Sequence, residues 1–192
     1  MSDTAVLMAG FGGQGMLLAG KVLAHAAMEE GLQVSWLPSY GPEMRGGTAN
    51  VIVRLSPAPI ASPLVTRPDA LLVMNLPSLE KFAPRVKAGG VIVVNRSLVP
   101  RDPERPDCLA IAVDARALAQ GAGSERAANF VLLGAYVGAT GVVPADAVAR
   151  AIEAEFSGGR AKHAPGNVAA FRAGVEEGKR AAGGTRATAE AR

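Results

Sequence analysis

Apolar residues recur along the chain in two rhythms. Short apolar runs at residues 5–9, 33–37, 70–74, 91–94 and 108–113 are bounded by Gly, Pro, Asn or Asp. Rich in Val, Leu and Ile, and without a 3.6-residue period, they predict buried strands. Residues 49–55 alternate instead, with Val51 and Val53 on one side and Asn50, Ile52 and Arg54 on the other. That is the mark of a strand with two different faces. Longer Ala- and Leu-rich windows at 16–30, 127–143 and 145–156 predict helices. Shorter helices are expected through Leu79 and Phe82 and across 115–119, and a last helix carries Val168, Phe171 and Val175.

The punctuation supports this order. Gly31 stands at a helix C-terminus, Ser78 and Ser124 are expected N-caps, and Pro144 and Pro165 open helices. Strands alternating with helices predict an α/β domain. The fold class is three-layer α/β/α, with a mostly parallel mixed sheet whose one antiparallel strand lies around Asn50. From Gly178 onward Lys, Arg, Gly, Thr and Ala present no apolar face. Residues 1–177 are thus expected to form a single domain and 178–192 a flexible basic tail.

Composition sharpens the picture. Half the chain is apolar but only 4% is aromatic, so Ala, Val and Leu must build the core. Lys179, Arg180, Arg186 and Arg192 in the tail account for the formal charge of +3, and no aromatic-interleaved basic stripe points to nucleic acid. Cys108, the one cysteine, is expected buried in the strand at 108–113; alone, it excludes an intrachain disulfide and a four-thiolate cluster. Asp3 and a short N-terminal apolar run do not fit a signal peptide, and a cytoplasmic location is expected. The segment 127–143 holds Gly134 and Gly138 at the spacing of packed membrane helices, but Asn129, Tyr136 and Thr140 interrupt it. It reads as a buried helix of a domain that does not enter the membrane.

Two stretches carry candidate chemistry. Gly10-Phe11-Gly12-Gly13-Gln14-Gly15 joins the first strand to the first helix, matching a dinucleotide fingerprint. That fingerprint also needs an acid about 20 residues on, at the end of the second strand. There the chain reads Trp36-Leu37-Pro38-Ser39-Tyr40, and the first acid is Glu43. The elbow therefore holds an anion at a helix N-terminus, meets a partner surface, or is a structural turn. The second stretch runs from Pro38 to Thr48, too rich in Pro and Gly for a regular element, yet with Tyr40, Glu43, Met44 and Arg45. Arg45 either forks onto a carboxylate or phosphate or pairs with Glu43. The candidate cofactor-facing set is Gly12, Gly13, Gln14 and Gly15, with Tyr40, Gly41, Pro42, Glu43, Met44, Arg45, Gly46 and Gly47. No catalytic or metal-ligating residue is assigned: His25 and His163 lack ligand-spaced neighbours, Lys21 lies too deep in its helix for a phosphate loop, and no serine elbow or magnesium–diphosphate stretch occurs.

These residues resemble a known family. The run from Gly10 to Gly15, and the run Trp36-Leu-Pro-Ser-Tyr-Gly-Pro-Glu-Met-Arg-Gly-Gly-Thr-Ala-Asn50, are similar to the gamma subunit of 2-oxoacid:ferredoxin oxidoreductases. The segment 60–63, Asp69, the segment 75–79, and then Asn129, Gly134, Asn167, Ala170 and Gly174 extend the likeness. It implies a multi-subunit enzyme that decarboxylates a 2-oxoacid with thiamine diphosphate and magnesium. The acyl group would go to coenzyme A, and electrons through iron–sulfur clusters to ferredoxin. Those cofactors would belong chiefly to alpha, beta and delta-type partners, and this chain would be architectural and line the site. The form Gly-Pro-Glu-Met-Arg-Gly-Gly is more similar to the oxoglutarate and branched-chain branches than to the indolepyruvate branch. A stand-alone nucleotide-binding oxidoreductase is the alternative.

Overall fold

The computed structural model describes residues 3–40 and 48–190. In chain order the elements are β1 (Thr4–Phe11), α1 (Met16–Glu29), β2 (Gln33–Tyr40), β3 (Thr48–Ser56), β4 (Ala70–Val73), α2 (Leu76–Phe82), β5 (Val91–Asn95) and β6 (Leu109–Val113). Then follow α3 (Ala115–Gly121), α4 (Ala128–Thr140), α5 (Ala145–Glu155) and α6 (Ala164–Glu190). Three-ten turns at Ala83–Arg85 and Gly158–His163 complete the set.

The strands form one sheet in the order β2-β3-β1-β4-β5-β6. β1, β4, β5 and β6 run parallel, while β3 is antiparallel to both its neighbours. The sheet is mixed and mostly parallel, as its alternation pattern predicts, with β3 as the reversed strand.

Alternation divides the core between the two faces. Val6, Met8, Val53 and Leu72 point to one side, where α1, α3, α4, α5 and α6 supply Leu23, Ala119, Leu132, Ile152 and Phe171. Leu7, Ala9, Leu71 and Ile92 point to the other, which α2 and the turn after it cover with Leu79, Phe82, Ala83 and Val86. This makes three layers of unequal weight.

The heavier layer is ordered by one close helix crossing. A Cβ added at Gly134 or Gly138 of α4 would lie 2.0 and 2.1 Å from the carbonyl oxygens of Phe171 and Val175 in α6. In return, Gly174 and Gly178 of α6 leave only 2.1 and 2.0 Å to the carbonyls of Val131 and Ala135. Both helices thus carry glycines four residues apart on facing sides, and backbone rests on backbone. α4 is buried from Asn129 to Val137. Among the described residues no helix is long and apolar enough to cross a membrane.

Several local expectations change. α6 extends past Gly178 to Glu190, with Gly178 packed on α4 and Ala181 against the core. Asn75, not Ser78, caps α2, its Oδ1 accepting from the Ser78 N–H at 2.8 Å. Ser124 lies ahead of α4 without capping it and donates instead to the Asn167 Oδ1 of α6 at 2.9 Å. Cys108 precedes β6 and is only half-buried, and partial burial raises its thiol pKa.

Gly174→Ala should therefore cost about 3 kcal/mol or more, since a backbone carbonyl cannot move aside as a side chain would. Gly183→Ala, in α6 beyond the crossing and with open space around it, should instead stabilise by about 1 kcal/mol. Equilibrium unfolding in denaturant measures both.

Lys21 of α1 donates to Glu155 of α5 at 2.8 Å, and Arg160 adds a second cation. The hydrogen bond from Lys21 holds the Glu155 carboxyl below its usual range. A lowered carboxyl pKa stabilises the fold above the unfolded value, and the contribution disappears as pH falls through the folded value. Lys21→Met should thus lower stability slightly at pH 7, by less than about 1 kcal/mol for an exposed lysine. At a pH below the carboxylate range the mutant and parent should melt together.

Candidate functional site

The parallel strands β1, β4, β5 and β6 end along one edge of the sheet, where open α/β sheets place their binding crevices. β2 ends there too, and β3 begins there. The register then does something the linear sequence hides. Phe11 pairs with Thr48, Gly10 with Ala49, and Ala49 also with Tyr40. Both ends of the 41–47 connection are thereby fastened beside the glycine elbow. Gly41, Pro42, Glu43, Met44, Arg45, Gly46 and Gly47 themselves lie outside the described residues, as does the Tyr40 side chain.

The elbow is held by side chains at three points. The Gln14 Oε1 accepts from the Phe11 N–H at 2.7 Å, and its Nε2 donates to the Met74 carbonyl at 3.4 Å. One carboxamide thus closes the turn on itself and ties it to β4. A Cβ at Gly10 would lie 2.6 Å from the Gln14 Oε1, so that glycine keeps the amide in place. Gly13 and Gly15 have φ of 94° and 76°, the left-handed region that favours glycine. Gly15 is the N-cap of α1 and provides no side chain to its first turn, leaving those N–H groups facing out.

The third hold is Asn129, in the first turn of α4. Its Nδ2 donates to the Gly15 carbonyl at 3.0 Å, and the residue is 3% exposed. Sequence reasoning registers Asn129 as an interruption of an apolar helix, which is the signal that marks it. It does not foresee that the interruption reaches back to the elbow.

Polar groups continue along the edge. Asn75 and Asn95, at the ends of β4 and β5, are both buried. Asn95 donates to the Met74 Sδ at 3.5 Å and accepts from the Ser97 N–H at 3.2 Å. The Asn75 Nδ2 and the Ser78 Oγ, both buried, have no partner among the described residues. Asp114, after β6, receives the Ser97 hydroxyl and the Ala117 N–H, which hold its carboxyl below the usual range. Among the described residues no three His, Cys, Asp or Glu side chains converge as metal ligands. Cys108 lies at the opposite, amino end of the sheet.

The geometry also bears on the dinucleotide pattern. In such folds the second strand lies parallel beside the first and brings its terminal acid to the ribose. Here antiparallel β3 separates β2 from β1. A stand-alone nucleotide-binding oxidoreductase loses its geometric basis.

Comparison with known proteins agrees with the convergence of these motifs. The Pyruvate ferredoxin/flavodoxin oxidoreductase family matches residues 5–177. The chain belongs to the gamma subunits of the 2-oxoacid:ferredoxin oxidoreductases. The 2-oxoglutarate synthase subunit KorC of Methanothermobacter marburgensis is 36% identical over 178 residues, 89% of this chain and 94% of that one. The ketoisovalerate oxidoreductase subunit VorA of the same organism is 40% identical over 158 residues, 81% of this chain but 33% of that protein. This chain thus spans about a third of the VorA length. Among solved structures, the keto/oxoacid ferredoxin oxidoreductase gamma subunit of Geobacter sulfurreducens superposes with a TM-score of 0.79 at 32% identity. That match covers 92% of this chain and 99% of the other.

Two groups of the gamma-family positions quoted from the sequence are placed by the fold: residues 10–15, Thr48, Asn75 and Asn129 at the carboxyl edge, and Gly134 and Gly174 at the α4–α6 crossing. Asn129→Ala removes the bond that joins the groups and should cost about 1–3 kcal/mol. Chemical denaturation reads this directly; an unchanged midpoint would show that the elbow stands without α4.

Proposed function

We propose that this chain is the gamma subunit of a multi-subunit enzyme that oxidatively decarboxylates a 2-oxoacid to its acyl-coenzyme A and passes electrons to ferredoxin. Within it the chain is architectural and lines the site from the carboxyl edge of its sheet. The observation that carries this reading is the register that fastens both ends of residues 41–47 beside the elbow, so that the two longest family motifs meet at one edge.

Among the described residues no donor set fits the cofactors of the reaction. A thiamine diphosphate–magnesium seat needs converging carboxylates, and a four-thiolate cluster needs more than Cys108. We assign thiamine diphosphate with magnesium and the iron–sulfur clusters to alpha, beta and delta-type partners. Coenzyme A is bound with those partners. Gly12, Gly13, Gln14 and Gly15, together with Tyr40, Gly41, Pro42, Glu43, Met44, Arg45, Gly46 and Gly47, form the surface this subunit turns toward the shared chamber. Arg45 is the residue whose guanidinium forks onto a phosphate or carboxylate there.

The test is made on the assembled complex, with its co-purifying chains identified. Arg45→Ala removes a charge-assisted contact of about 1.5–3 kcal/mol, and the Michaelis constant for coenzyme A or oxoacid should rise roughly ten- to a hundredfold. The melting temperature should hardly change. Arg45→Lys should rescue poorly, because an ammonium does not fork. Unchanged Michaelis constants in an intact Arg45→Ala complex, or a loss of assembly that Glu43→Ala reproduces, would refute the chamber-facing role.

A further inference from the structure

The amino edge of the sheet, opposite the elbow, carries a different set of groups. β1, β4 and β5 begin there at Thr4, Ala70 and Val91, and β3 ends there at Ser56. The chain then crosses this edge through residues 57–68, which include four prolines and form no helix or strand. The second half of the crossing is nevertheless fastened at short intervals. The Ser62 carbonyl accepts from the Arg54 guanidinium at 2.7 Å, and the Ser62 Oγ accepts from the Leu64 N–H at 3.2 Å. The Thr66 carbonyl accepts from the Arg85 Nε at 3.1 Å, and the Pro68 carbonyl from the Lys87 N–H at 3.0 Å.

These bonds fix the segment without burying it. Leu64 is 73% exposed, the most exposed large apolar side chain among the described residues, and Arg67 is exposed as well. A fastened backbone has already given up the freedom that docking would cost, so a bare leucine on it is preorganised for a partner. Between the segment and the sheet edge lies a hollow of about 350 Å³, walled by Leu64, Val65, Arg54 and Lys87.

Charge narrows the choice of partner. Two carboxylates stand in the hollow, and both are engaged: Asp3 accepts from the Arg54 Nε at 2.9 Å, and Asp69 from the Lys87 ammonium at 2.6 Å. Arg67, on the rim, has no carboxylate within ion-pair distance among the described residues. The surplus continues behind Thr66. Lys81 and Arg85 lie 5.3 and 5.7 Å from the centre of the Phe82 ring, and neither meets a carboxylate among the described residues. Three cations thus border one exposed leucine without a balancing anion. Such a surface is complementary to carboxylates set around an apolar seat. The hollow is concave and Phe82 is buried, so a lipid surface does not fit the one and a nucleic-acid base does not stack on the other.

We propose that this edge docks an acidic surface of a neighbouring subunit, with Leu64 entering an apolar seat among its carboxylates, which face Arg67, Arg85 and Lys81. The proposal rests on the reading of the chain as one subunit of a larger enzyme, and adds a contact at the end of the sheet opposite the elbow.

The experiment treats the assembled complex with a water-soluble carbodiimide, which joins an amine to a carboxylate only where the two touch, and sequences the linked peptides by mass spectrometry. Lys87 should link to Asp69 of its own chain, in the free chain and the complex alike. Lys81 should link to an Asp or Glu of another subunit, in the complex only. Arg67→Glu and Leu64→Ala, both at exposed positions, should leave the melting temperature of the free chain unchanged. Each should raise at least tenfold the concentration at which the complex loses this chain on dilution. Added salt should weaken the parent complex more than the Arg67→Glu complex. An intact complex without a Lys81 link to another subunit, or one that both variants leave as tight as the parent, would overturn the docking surface and leave the subunit reading standing. A chain that purifies with no other subunit would overturn both. Retention on phosphatidylserine vesicles or single-stranded RNA that Arg67→Glu abolishes, with no Lys81 link, would overturn the protein partner.

Discussion

The structure depends on two helices being allowed to touch backbone to backbone. Where Gly134 and Gly138 face Gly174 and Gly178, the carbonyls of each helix occupy the space a methyl group would need. The gain is the dispersion energy of a long, close seam. The requirement is that four positions carry no side chain at all. α4 is fixed against the sheet by this seam, and α4 in turn delivers Asn129 to the Gly15 carbonyl. α6 is fixed by the same seam and brings the Asn167 carboxamide to the Ser124 hydroxyl. A packing constraint at the middle of the heavier layer thereby sets the shape of a turn at its rim.

The elbow shows how one sequence pattern can serve different chemistry in different sheets. A glycine-rich strand-to-helix turn frees a helix N-terminus wherever it occurs. What it then faces is decided by the neighbouring strands. With β3 inserted antiparallel between β1 and β2, the place beside the turn goes to the approach and departure of residues 41–47 rather than to an acid from a parallel second strand. Gln14 completes the difference. Its carboxamide is spent on Phe11 and Met74, so the turn is braced by its own side chain and its N–H groups stay available.

Much of this was legible in the sequence, and the gaps have physical causes. Strands such as 91–94 announce themselves because both faces are buried and every residue is apolar. β3 announces its two unequal faces through Val51 and Val53. The sheet order is not legible, because nothing local in residues 33–40 distinguishes a strand beside β1 from one beyond β3. Gly178 reads as the start of a tail because hydrophobicity is the usual evidence for burial, and a glycine seam buries backbone instead. Ser78 and Asn75 are both good cap residues three positions apart, and the Pro at the start of α2 admits either. At the site, the elbow and the 38–48 stretch stand out by composition. Asn129 emerges as a site residue only once α4 is folded back over the start of α1.

The placement of β3 also imposes an order of assembly. β2 and β3 are joined by the short connection 41–47, so their pairing closes a small loop and gives up little chain entropy. β1 pairs with β3 across α1 and β2, a far longer closure, and it pairs with β4 across more still. The hairpin is the least costly pairing to make first, and β1 gains a complete seat only after it exists. The two halves of the family motif are thus brought together late, by the docking of an already formed ribbon. A change that slows the hairpin would delay the elbow even though it touches none of the residues there.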